Sequence, residues 1–158
     1  MKGHFLTGQM LNQLGKHAEA KASFEAIIAL EDNSPTTLTY KLLAKSEQAR
    51  SMGLGGDTDA AIKANEEIIR IENSDNKRLF AHLYNSLGTL YLKAGKLKEA
   101  ARAFMHTELL FASEMEPHSE ALYNLAQIWP KLEQTDRANL ARETLRTRYS
   151  NSYWAGKL

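Results

Sequence analysis

The sequence predicts an all-α protein. Across its 158 residues there is no valine and there are only seven isoleucines, whereas Ala, Leu, Lys and Glu are abundant, a balance that favours helix over sheet. Apolar residues recur at helical spacing: Tyr84, Leu87, Gly88 and Tyr91 fall at i, i+3, i+4, i+7, and Leu97, Ala100, Ala101 and Phe104 repeat the pattern after a break at Gly95. Two amphipathic helices joined by a tight turn account for the stretch from His82 to Phe104. Gly88 and Ala100 carry almost no side chain, so the two helices can approach closely, with Tyr84, Tyr91 and Phe104 filling the space on either side. Gly95 supplies the backbone freedom that ends the first helix.

This stretch resembles the tetratricopeptide repeat, a helix–turn–helix unit with an aromatic, Leu-Gly, Tyr, Ala and Phe at these offsets, here Tyr84, Leu87, Gly88, Tyr91, Ala100 and Phe104 with the turn at Gly95. A first copy occupies 3–34, with His4, Gly8 and Leu11 on one helix, the turn at Gly15, and Ala20, Phe24 and Ile27 on the next; His4 stands where the pattern has an aromatic. Glu31-Asp32-Asn33-Ser34-Pro35 reads as a loop. The second copy, 36–75, opens with Thr36 and Thr37 as caps, turns at Gly53-Leu54-Gly55-Gly56, and has Asp57 capping its second helix. Ala49 and Asn65 replace its glycine and aromatic, and Asn73-Ser74-Asp75-Asn76 is a further polar break. The third copy spans 78–116, its second helix expected to run through Phe111 to about Met115 and to end at Pro117. In the fourth, 118–150, Leu122, Leu125, Ala126 and Trp129 line one helix, which Pro130 shortens or kinks, and Ala138, Leu145 and Tyr149 the other. Gln134-Thr135-Asp136 makes the turn and cap, Glu133 replaces the turn glycine and Arg142 the aromatic.

Aligned on Gly15, Gly56, Gly95 and Glu133 the copies lie 41, 39 and 38 residues apart, longer than the common repeat of about 34, so the array is a stretched variant. The resemblance implies one domain over 1–158, a right-handed α-α superhelix of about four repeats whose first helices line an inner groove, with 151–158 as a C-terminal cap. Residues 148–155 are similar to the Tyr-Pro-Asn-Ser segment that ends repeats in bacterial cell-envelope assembly proteins of this superfamily, with Ser150 in place of the proline. Tyr153 and Trp154 either fold back over Leu145 and Tyr149 or dock onto another copy of the chain.

The remaining chemistry is sparse. The net charge of +1 gives no support to nucleic-acid binding. Without cysteine there is no disulfide and no thiolate metal site or nucleophile. No apolar run is long enough to cross a bilayer, and no signal-peptide core follows Met1. As written, the chain reads as cytoplasmic; a periplasmic location would follow if it were part of an exported protein. The histidines at 4, 17, 82, 106 and 118 form no ligand pair, the glycines at 53–56 lead into Asp57-Thr58-Asp59 rather than a phosphate loop, and Arg137, Arg142, Arg146 and Arg148 read as a solvated helix face or an acidic-partner dock. No metal, cofactor or catalytic constellation is expected, and an enzyme is not.

The resemblance implies a scaffold or adaptor that takes a peptide segment of a partner protein in its groove. Stepping off the packing face places Phe5, Gln9, Asn12 and Gln13 there, then Ser46, Glu47 and Arg50, then His82, Asn85, Ser86, Thr89 and Lys93, then Tyr123, Asn124, Gln127 and Lys131. Their amides suit recognition of an extended backbone, although solvent-facing helix positions are polar in any case. Chaperone-binding members clamp a terminal carboxylate with Lys and Asn on the first repeat and basic residues on the third; here those positions are Phe5, Gln9, His82 and Ser86, so no such clamp is expected. The alternative function is a homo-oligomeric unit whose end repeats are completed by another subunit.

Overall fold

A computed structural model of the chain describes residues 1–72 and 75–158. Among them there are eight α-helices and no strand. The polar break expected at 73–76 lies partly outside the described residues. The helices are α1 Lys2–Gln13, α2 His17–Ile28, α3 Pro35–Gly55, α4 Thr58–Ile71, α5 Lys77–Lys93, α6 Leu97–Leu110, α7 Met115–Ile128 and α8 Thr135–Arg148, with 3₁₀ turns at Trp129–Leu132 and Ala155–Lys157. No helix of the described residues is long and apolar enough to cross a membrane. Tertiary contacts gather into two compact units, residues 1–74 and 75–158. In each, every helix packs on the one before it and the two first helices of successive hairpins also touch, α1 with α3 and α5 with α7. This is the all-α helical-repeat architecture.

The two best-matching hairpins close on one contact. The Phe24 ring lies directly over Gly8, where a Cβ would come within 2.5 Å of it, and the Phe104 ring lies over Gly88 with 2.6 Å to the same imagined atom. Only glycine admits the ring at that depth, and both phenylalanines are fully buried. Divergent hairpins replace this contact with hydrogen bonds. Sixteen residues after Ala49, the fully buried Asn65 accepts a hydrogen bond from Ser46 Oγ and donates to Ala61 O. Sixteen residues after Ala126, Arg142 donates to the Ala126 carbonyl at 3.0 Å.

All four hairpin turns share one pattern. Gly15 N–H donates to Asn12 O and Lys16 N–H to Leu11 O; Gly95 and Lys96 repeat this with Leu92 O and Tyr91 O. Gly56 and Asp57 do so with Gly53 O and Met52 O, and Glu133 and Gln134 with Pro130 O and Trp129 O. Satisfying the last carbonyls this way requires a left-handed residue. Glycine supplies it in three turns, and Glu133, at φ 59, is the one described non-glycine residue with positive φ.

Several local expectations are corrected. Ser34, not Thr36 or Thr37, caps α3: its side chain accepts from Thr37 N–H, and Pro35 takes the first helical position. The exposed Asp32 carboxylate holds that cap, accepting from the Ser34 N–H, the Ser34 hydroxyl and the Thr37 hydroxyl, which lowers its pKa. Asp57 and Gln134 occupy N-cap positions without a side-chain bond, and Thr58 Oγ1 instead donates to Gly53 O. Helix α6 stops at Leu110, short of Met115, because Phe111 leaves the helical conformation to bury its ring beside Phe80 and Tyr84. Pro117 therefore ends nothing; it lies in the first turn of α7, where its missing N–H leaves no bond unmade. His4 is exposed, and the aromatic of the first hairpin is Phe5, 1% exposed, with its ring 6.1 Å from Phe24 and 5.9 Å from Tyr40. Pro130 does shorten α7, sitting in the 3₁₀ turn that follows it.

Two substitutions read these features. Glu133→Gly removes the left-handed strain and raises stability by about 0.5–1 kcal/mol. Gly88→Ala displaces the Phe104 ring and lowers it by about 1–3 kcal/mol despite alanine's better helix propensity. Urea denaturation of each variant against the parent measures both, with the two changes opposite in sign.

Candidate functional site

The expected groove residues divide into a buried set and an accessible set. Phe5, Ser46, Glu47, His82, Asn85 and Ser86 are buried, so the reading that placed them on an open surface is corrected. The reason is geometric. First helices of successive hairpins pack on each other, so the positions flanking the packing face turn into that contact rather than to solvent.

In the unit 75–158 this contact is polar. Asn85 donates both amide hydrogens across it, to Pro117 O at 2.8 Å and to Glu120 Oε2 at 3.0 Å. Glu120 is 3% exposed, and the amide gives its carboxylate a charge-assisted bond inside the protein. His82 Nε2 lies 3.9 Å from Glu116 Oε2. Left accessible on the same two helices are the half-buried Thr89, Tyr123 and Asn124 and the exposed Lys93 and Gln127, with the exposed Lys131 in the 3₁₀ turn after α7. Thr89 donates back to Asn85 O and Asn124 to Glu120 O, both one turn earlier, which fixes these side chains along their helices. Asn124 thereby keeps its oxygen and its second amide hydrogen for other partners.

In the unit 1–74 the accessible set is Gln9, Asn12, Gln13 and Arg50. Asn12 is the hub of a network: its oxygen accepts from Ser51 Oγ at 2.7 Å and sits 3.2 Å from His17 Nδ1, while its amide donates to Glu47 Oε2 at 3.4 Å. Glu47 in turn lies 3.7 Å from Arg50. The arrangement holds a buried carboxylate and its neighbours in one geometry and leaves Gln9 and Gln13 without a fixed role.

Tyr153 and Trp154 separate. Trp154 folds back, with Tyr123 at 5.3 Å, against the cluster of Leu122, Ala126, Ala141, Leu145 and Tyr149, whereas Tyr153 stays 48% exposed. Beside them a cleft of about 380 Å³ opens between the tail and the start of α7, lined by Met115, Ser119, Tyr149, Tyr153 and Trp154 among others. The arginines of α8 are mostly engaged: Arg137 lies over the Trp129 ring, Arg142 bonds Ala126 O, and Arg148 bonds Ala112 O and covers Tyr149.

Sequence reasoning passed over one buried pair. His118 Nδ1 is 2.6 Å from Tyr149 Oη, and its Nε2 is 3.2 Å from Glu108 O. A carbonyl only accepts, so Nε2 carries the hydrogen, Nδ1 is the acceptor and the tyrosine hydroxyl donates. Burial foremost, with the Arg148 charge adding to it, lowers the His118 pKa. Its five-fold scattering among histidines gave no signal, because the partner lies 31 residues away.

The fold and this geometry define a class, the helical-hairpin repeat array. The family model for the tetratricopeptide repeat matches residues 2–34 and 81–106, and these two matches support a tetratricopeptide repeat protein. Those two matches cover the hairpins that close on Gly8–Phe24 and Gly88–Phe104. No curated protein matches the chain. Tetratricopeptide repeats in general mediate protein–protein interaction and scaffolding and are typically not enzymes.

Two outcomes follow. Asn85→Ala removes the amide that bonds both Pro117 O and the Glu120 carboxylate and costs about 1–3 kcal/mol in denaturant melts, while Gln127→Ala stays within about 0.5 kcal/mol of the parent. For pH, the unfolded His118 takes its proton near 6.5 and the folded one only at lower pH. The histidine's contribution to stability is thus complete above pH 6.5 and is lost as the pH falls toward the folded value. Chemical melts at pH 7.5 and 5.5 show a drop that His118→Gln reduces.

Proposed function

We propose that this protein is a non-enzymatic interaction module that binds an extended peptide segment of a partner protein along the accessible side of its first helices, α5 and α7 above all. The supporting observation is the row Thr89, Asn124 and Gln127 on two helices that touch each other, flanked by Tyr123 and Lys93 on those helices and by Lys131 in the turn after α7. Asn124 and Gln127 present donor and acceptor together, which is what an extended backbone requires. Tyr123, held by Trp154, adds a rigid aromatic surface. Buried contacts beneath the row, Asn85 to Glu120 and Pro117, keep the two helices in register. In the unit 1–74, Gln9, Asn12 and Arg50 make the corresponding surface.

Selection of displayed random peptides on the full chain tests this. The parent recovers a consensus peptide, and the Thr89→Ala/Asn124→Ala/Gln127→Ala variant, folded by circular dichroism, binds it at least about tenfold more weakly. Equal affinity for both proteins would remove the site from this face.

A second reading, self-assembly, is favoured by α1. Its Leu6, Met10 and Leu14 form an exposed apolar stripe, 46%, 63% and 70% accessible. Counting from Gly8 and Ala126, Met10 and Leu14 correspond to Ile128 and Leu132, which lie in or against the core cluster with Ala100, Ala101 and Phe104 of α6. Light scattering over a hundredfold concentration range separates the readings. A monomer throughout rules assembly out, and a dimer abolished by Met10→Lys supports it.

A further inference from the structure

We propose that the His118–Tyr149 pair is an acid-sensitive latch that holds the C-terminal tail, residues 149–158, on the α7–α8 hairpin and releases it when the imidazole is protonated. The tail is attached by two kinds of contact. Tyr149 is 4% exposed within the cluster of Leu122, Ala126, Ala141 and Leu145, and Trp154 and Ala155 pack on that cluster from outside. Within the tail the hydrogen bonds are local, Ser152 N–H to Tyr149 O and Ala155 N–H to Ser152 Oγ. The Trp154 indole N–H is buried without a partner, so no hydrogen bond of its own anchors the ring. The tail joins α8 through the Tyr149 N–H, which donates to Leu145 O, and its polar tie to α7 is the Tyr149 hydroxyl on His118 Nδ1.

Protonation reverses that tie. With Nε2–H committed to the Glu108 carbonyl, the new proton goes on Nδ1, and two donors then face each other at 2.6 Å. To accept instead, the hydroxyl must turn its own hydrogen into a buried surrounding.

The charged and titratable groups around the ring oppose an imidazolium or do little to offset it. From α8 and its cap come Arg148 and Tyr149, and the Arg148 charge repels it. From α6 comes Glu108, whose half-buried carboxyl is pushed up by burial and has Arg137 for its charged neighbour, so it becomes a weaker counter-charge as acid is added. At the N-cap of the histidine's own helix lies Glu114, whose carbonyl accepts the His118 N–H. From α5 comes His82, which lies against Glu116 instead. The cleft lined by Met115, Ser119 and Tyr153 gives the released tail room on its other side.

The test follows the two tryptophan indole N–H signals by NMR in the full, ¹⁵N-labelled chain between pH 7.5 and 5.5. Trp129 serves as the internal control, since its ring is in the core. The expected result is a loss of about tenfold in the exchange protection of Trp154, with a midpoint below 6.5 and no change at Trp129. Tyr149→Phe, which keeps the ring and removes only the hydroxyl, shows the low-pH protection of Trp154 already at pH 7.5. Three results overturn the proposal: Trp154 protection that stays constant across the range, loss of protection at both tryptophans together, or Tyr149→Phe retaining full protection at pH 7.5.

Discussion

Everything in the two family-matching hairpins depends on a phenylalanine ring lying on a glycine. The approach at Gly8 and Gly88 leaves no room for a methyl group, and it sets how near the paired helices come. That distance in turn decides what else fits. Tyr84 stacks on His106 at 4.4 Å, and Phe111 turns inward at the end of α6 to meet Phe80 and Tyr84. A tight apolar contact of this kind is worth more than its area, because the interior around it is close-packed and cannot relax cheaply.

Where the glycine and the aromatic are absent, polar groups do the same geometric work. Asn65 reaches back across its hairpin to Ser46, and Arg142 to the Ala126 carbonyl. The turn tells a similar story, since Glu133 adopts the left-handed conformation and completes the same two hydrogen bonds as the glycines. Hydrogen-bond satisfaction at the helix end outweighs the local strain of a side chain there.

Much of this was legible from sequence. The helix class, the four hairpins, the glycine turns of three of them and the equivalence of Asn65 and Arg142 to the missing aromatics all followed from spacing and residue size. Helix ends were harder: Ser34 and Pro35 outcompete the neighbouring threonines as a cap, and Phe111 ends α6 for a tertiary reason that no local signal carries. The candidate surface was legible only in part. Thr89, Tyr123, Asn124 and Gln127 emerge accessible, but Ser46, His82 and Asn85 do not. Polarity marked them as outward, yet a buried amide with two acceptors costs little to bury, and its acceptors at 117 and 120 are invisible to a helical wheel drawn on α5 alone.

The alternation of ring-on-glycine hairpins with hydrogen-bonded ones has a consequence for how the chain comes together. Burying a phenylalanine yields about 1.5–3 kcal/mol, whereas a net hydrogen bond yields about 0.5–1.5. Each unit therefore holds one hairpin able to persist early, α1–α2 in one and α5–α6 in the other, and one that gains most of its worth from a neighbour already in place. In both units the larger apolar contact thus lies in the amino-terminal hairpin, and the carboxyl-terminal hairpin relies more on the neighbour it stacks against.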